Sequence, residues 1–123
     1  MKAYTRYLEV KEQYPDTIIF IRVGDFYEAF DADAVTVSEE SNLVLASAPV
    51  GEGETRRRVK MCGVPYFAVE SYIRTLTNRG YYVGLVDELE KGGQREGPDE
   101  DAPMPDEPER YARWILDNEK GEK

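Results

Sequence analysis

With 123 residues, 41% of them apolar, the chain has material for one domain built around one core. Its formal charge of −9 argues at first sight against nucleic acid, but residues 1–86 carry only −2, residues 87–109 carry −8 and residues 110–123 carry +1, so the acidity belongs to one segment. The single cysteine, Cys62, excludes an intramolecular disulfide, and the absence of histidine excludes His-based acid–base pairs, triads and metal ligands.

In chain order, Tyr4, Tyr7, Leu8 and Lys11 recur at helical spacing and predict a short amphipathic helix ending near Tyr14-Pro15. Thr17 to Val23 is rich in β-branched residues and reads as a buried strand. Gly24-Asp25 is a turn signal, and Phe26 to Phe30 follows as the second arm of a hairpin, with Phe26, Glu28 and Phe30 on one face. Asp31 to Asn42 predicts a helix with Ala34, Val37 and Val35 facing inward. Leu43 to Ala48 reads as a strand, Pro49 to Arg58 as a Gly-, Glu- and Arg-rich loop, and Val59 to Val64 as a short strand. Tyr66 to Arg79 is the best helix, with Val69, Tyr72, Ile73 and Leu76 as its stripe and Gly80 as its stop. Tyr81 to Leu89 is a further strand. The expected fold is α/β, a mixed β-sheet flanked by helices.

Residues 1–90 would form the body. Residues 91–107, rich in Gly, Pro and acids, read as a solvated linker. Residues 108–123 read as a helix: Asp106 and Glu109 resemble a capping box, and Trp114 and Ile115 would dock the helix on the body. The opening MKAYTRYLEV has no signal-peptide core, and the longest apolar stretch is Ile18 to Ile21, so a soluble, cytoplasmic chain is expected.

No P-loop pattern occurs, one cysteine cannot build a metal cluster, and the acids at 99–101 read as a solvated charge run; no enzyme, cofactor or metal is expected. Taken alone, Phe26 is core, as most strand aromatics are. Glu28 on the same face must be exposed or paired. An exposed Phe beside a Glu at a hairpin would suit a flat apolar ligand such as a base. Arg56, Arg57, Arg58 and Lys60 are the one basic cluster and are candidates for phosphate contact, against the plainer reading of a solvated loop; Arg22 and Arg74 are weaker candidates. Met61, Val64, Tyr66, Val69 and Tyr72 read as core.

The block from Tyr14-Pro15-Asp16 through Ile21-Arg22-Val23-Gly24-Asp25-Phe26-Tyr27-Glu28-Ala29-Phe30 closely resembles the start of MutS mismatch-repair proteins. The resemblance resumes at Met61-Cys62-Gly63-Val64-Pro65-Tyr66-Phe67-Ala68-Val69-Glu70-Ser71-Tyr72, continues through Leu76, Asn78, Gly80 and Val83 to Glu88, and stops past Glu90. It implies the fold of the amino-terminal mismatch-recognition domain, domain I, here as a stand-alone domain. It also implies an F-x-E motif in which Phe26 wedges into the stack from the minor groove and Glu28 hydrogen-bonds a mispaired or unpaired base. The partner implied is double-stranded DNA with mismatches, bound weakly by this domain alone, with a protein partner supplying the family's clamp and ATPase. The contrasting expectation is a non-catalytic interaction or regulatory module of a mobile element or phage that kept the fold, its acidic segment acting as a DNA mimic.

Overall fold

The computed structural model describes residues 2–88 and 110–116. Three helices, α1 (Lys2–Gln13), α2 (Asp31–Ser41) and α3 (Val69–Asn78), accompany six strands: β1 (Thr17–Val23), β2 (Phe26–Phe30), β3 (Ala46–Val50), β4 (Arg57–Pro65), β5 (Tyr82–Glu88) and β6 (Tyr111–Leu116). The strands form one sheet in the order β3-β4-β2-β1-β5-β6. Pairing is antiparallel across β3, β4, β2 and β1 and parallel across β1, β5 and β6. The mixed α/β fold therefore stands as expected.

Alternation along the strands sends side chains to two cores. Ile18, Phe20, Tyr27, Ala29, Cys62, Val64, Val83 and Leu85 pack beneath α2 and α3, against Ala34, Val37, Val69, Ile73 and Leu76. Ile19, Ile21, Phe30, Val59 and Val86 face the other way and pack against Tyr4 and Tyr7 of α1. Leu8, expected in the α1 stripe, is exposed instead. Lys11 takes an inward position by pairing: its Nζ donates to the Thr17 carbonyl at 2.6 Å and to Asp33 Oδ1 at 3.0 Å. Asp33 Oδ2 accepts from Tyr7 Oη at 3.0 Å and from the Ile19 amide at 3.1 Å. One buried carboxylate thus fastens α2 to α1 and β1.

The two-residue turn between β1 and β2 places Gly24 at φ +59°, the left-handed first position of a type II′ hairpin. Two boundaries differ from the sequence reading. β3 begins at Ala46, not Leu43, because Asn42 caps α2 in the left-handed region (φ 57°) and both Asn42 and Leu43 still donate to the Ser38 carbonyl. The predicted loop at 49–58 is shorter, since Val50 already pairs with Arg57. The predicted helix from Tyr66 opens with a 3-10 turn, Tyr66–Ala68, before α3 begins at Val69. It ends at Gly80 (φ +96°), where the Gly80 amide donates to Thr77 and the Tyr81 amide to Leu76, a Schellman closure.

The helix expected over 108–123 is corrected: Tyr111–Leu116 is a strand, running parallel to β5 with Val83 opposite Tyr111 and Glu88 opposite Leu116. Tyr-Ala-Arg-Trp-Ile-Leu has aromatic and β-branched content that suits a strand as well as a helix, and the open edge of β5 offers a complete ladder of partners. A helix this short would have needed outside packing to persist. The predicted linker and its capping box lie outside the described residues. Among the described residues, no helix is long and apolar enough to cross a membrane.

Candidate nucleic-acid interface

The β1–β2 hairpin tip, the end of β4 and the end of β5 share one end of the sheet, since Val23 pairs with Phe26 and Phe26 with Pro65. α1 lies across the opposite end of its face. Tyr4 reaches Asp31 Oδ2 at 2.7 Å and sits under Arg57 at the start of β4, while Lys11 reaches Thr17 at the start of β1. Of the three residues that β2 turns to this face, α1 covers only Phe30, through ring contacts with Tyr4 and Tyr7 at 5.4 and 5.5 Å. Phe26 is beyond its reach and is 46% exposed, so its ring is not part of either core.

Glu28 stands between them, opposite Ile21 on one side and Gly63 on the other. Gly63 leaves room above the sheet: a Cβ there would come to 3.7 Å from Glu28 Cγ. The carboxyl is half-buried, and burial alone pushes its pKa up. Its Oε1 is shut off from solvent and has no hydrogen-bond partner among the described residues. The sequence offered exposure or pairing for this group; the structure leaves it half-buried with Oε1 sealed and without a partner among the described residues, an arrangement that disfavours its charge.

Beneath the tip the strands are cross-linked by side-chain and turn contacts. Tyr27, fully buried, donates to Asp87 Oδ1 at 2.5 Å and ties β2 to β5 across β1. The Arg22 guanidinium lies 4.4 Å from the Tyr66 ring centre and also hydrogen-bonds the Gly24 carbonyl, so it serves the hairpin. The Tyr66 amide donates to the Asp25 carbonyl at 2.8 Å, clamping the turn after β4 to the tip.

The basic cluster lies elsewhere. Arg57 is opposite Val50 at the far end of β4, eight positions from Pro65 along a nine-residue strand, which is about 26 Å at strand rise. Arg57 leans on the Tyr4 ring, Arg58 holds Ser47 through its side chain and carbonyl at 2.8 and 3.2 Å, and Arg56 follows the 3-10 turn Gly53–Thr55. Arg58 and Lys60 share an open groove with Asp31, Val35 and Thr36 of α2, on the opposite face from Phe26. Arg74 is exposed on α3. The structure brings Phe26 and Glu28 together and sets Arg56, Arg57, Arg58 and Lys60 apart from them.

Two features escaped the sequence reading. The Tyr27–Asp87 bond joins residues 60 positions apart with no local signal. Phe67 is 74% exposed at the same end as Phe26. Its place after a strand-ending proline carries no periodicity, so only the fold shows where it lies. Among the described residues, no group of three or more His, Cys, Asp or Glu could hold a metal ion.

The family described as MutS domain I matches residues 2–104. Proteins named DNA mismatch repair protein MutS are similar over the same region. That of Aquifex pyrophilus is 45% identical over 92 residues, covering 75% of this chain and 10% of that protein. That of Symbiobacterium thermophilum is 46% identical over 94 residues, covering 76% and 10%. That of Methanosarcina mazei is 40% identical over 95 residues, covering 77% and 10%. The chain spans about a tenth of the length of the curated relatives it matches. With the fold and the two sequence blocks in agreement, the chain belongs to the MutS domain I family.

Proposed function

We propose that this domain recognises mispaired or unpaired bases in duplex DNA through Phe26 and Glu28. The observation that carries the reading is an exposed aromatic ring beside a half-buried carboxyl whose Oε1 has no partner among the described residues, at the one end of the sheet face that α1 leaves open. A ring so placed can enter a base step from the minor groove. Unstacking a step costs a few kcal/mol. A mismatch is already poorly stacked and bends readily, so the cost is lower there, and selectivity comes from deformability. Glu28 completes the site: an ionised carboxylate would repel phosphates, and burial, by raising its pKa, eases the uptake of a proton on contact, after which the acid donates its O–H to a base acceptor. No catalytic step is proposed.

The test is equilibrium binding at low salt to a duplex with one G·T mismatch or unpaired T and to its matched twin. The wild type is expected to prefer the mismatch and Phe26→Ala to lose that preference. A second reading, a protein-interaction module, is favoured by the −8 charge of residues 87–109. Failure to bind either duplex would select it and point to a basic protein surface as partner.

A further inference from the structure

Deepening mismatch recognition at Phe26, and resting on it, we propose that Phe67 is a second, sequence-independent contact to the same duplex, lying against deoxyribose in the minor groove a few steps from the wedge. Phe67 does nothing visible for the fold. It is 74% exposed, and its one ring contact among the described residues is an edge-on approach to Tyr66 at 5.8 Å. The neighbouring core is complete without it: Val64 and Val69, on either side of the turn, are buried, and Tyr66 packs under Arg22.

Its position relative to Phe26 is fixed. Pro65 pairs with Phe26, and the Tyr66 amide holds the Asp25 carbonyl, so the turn carrying Phe67 moves with the hairpin tip. One ladder spacing and two residues of 3-10 rise put the two Cα atoms within about 10 Å of each other, or about three base-pair steps of 3.4 Å. Two exposed Phe side chains within that distance put more apolar surface at this end of the sheet than a single exposed residue would, which suits an interaction surface. A duplex that receives Phe26 from the minor groove side brings its sugar walls to Phe67. Sugars are alike at every step, so this contact raises affinity without reading sequence.

The experiment measures fluorescence anisotropy of the full chain with a labelled mismatched duplex and its matched twin at several salt concentrations, using wild type, Phe67→Ala, Phe67→Leu and Phe26→Ala. Phe67→Ala is expected to weaken both duplexes by the same factor, about tenfold, leaving the mismatch-to-match ratio intact. The slope of log affinity against log salt stays at the wild-type value, because the variant keeps every phosphate-binding group. Phe67→Leu stays within about twofold of wild type, since an apolar wall is all the sugar requires. Wild-type affinity of Phe67→Ala for both duplexes, or loss of the ratio in that variant, overturns the assignment while mismatch recognition stands. Retention of the ratio by Phe26→Ala, or no wild-type binding to either duplex, overturns the recognition reading and this contact with it.

Discussion

Glu28 occupies a position where its charge is unfavourable: half-buried, above Gly63, with one oxygen sealed from solvent and lacking a partner among the described residues. Burial raises its pKa, so the folded chain holds a proton that the unfolded chain has released once the pH passes the ordinary carboxylate value. The stability linked to that proton is fully present below the unfolded pKa and is lost as the pH rises through the folded one. Glu28→Gln keeps the shape and removes the ionisation. Urea denaturation of both proteins should coincide near pH 4, while at pH 7 the variant should be the more stable by about 1 kcal/mol, the scale of a polar group buried without compensation. Equal stability at both pH values would mean the carboxylate finds a partner on ionising. Cost to the fold at a residue outside both cores fits the binding role proposed for Glu28.

At the scale of elements, the open end of the sheet exists because α1 is held at the other end. Asp33 does much of that holding, with Tyr7, Lys11 and the Ile19 amide all converging on one carboxylate that is 5% exposed. Removing it leaves a buried hydroxyl and a strand amide unpaired. Asp33→Ala should therefore lower stability by about 3 kcal/mol, read as a shifted urea midpoint at unchanged slope; a loss under about 1 kcal/mol would show that the network is replaceable. The helices over 31–41 and 69–78, the hairpin and its faces were legible from periodicity, since burial of one face is what writes that pattern. β6 was not. Tyr111, Trp114 and Ile115 satisfy helical spacing, yet the deciding factor was the open edge of β5, a partner no local window contains. For the site, Phe26 and Glu28 could be picked out by motif, but their exposure depends on where α1 crosses the sheet, and Phe67 joins them through the Phe26–Pro65 pairing and the Asp25–Tyr66 bond.

Across the whole molecule, the sheet separates the candidate base contacts from the candidate phosphate contacts. Phe26 stands at one end of β4 and Arg57 at the other, about 26 Å away, with Lys60 on the opposite face about 16 Å from Phe26 and about 10 Å from Glu28 along the strand. A base site and a phosphate site at that spacing would act on different terms of the binding energy. On the proposed reading the wedge would set the difference between mismatched and matched duplexes, whereas cations would set the affinity for both, with counterion release as their signature. Arg57 and Arg58 brace Tyr4 and Ser47, so replacing Arg56 and Lys60 instead tests this with the least disturbance to the fold. If the cluster touches the DNA backbone, Arg56→Ala with Lys60→Ala should weaken both duplexes equally and flatten the salt slope by about one unit for each phosphate no longer neutralised. The mismatch-to-match ratio should not move. A changed ratio would mean that the cluster bears on the base step itself. An unchanged affinity and slope would leave the cluster as a solvated edge of the sheet and put the domain's whole DNA contact at the Phe26 end, where Arg22, held in the hairpin, is the nearest cation on the same strand pair.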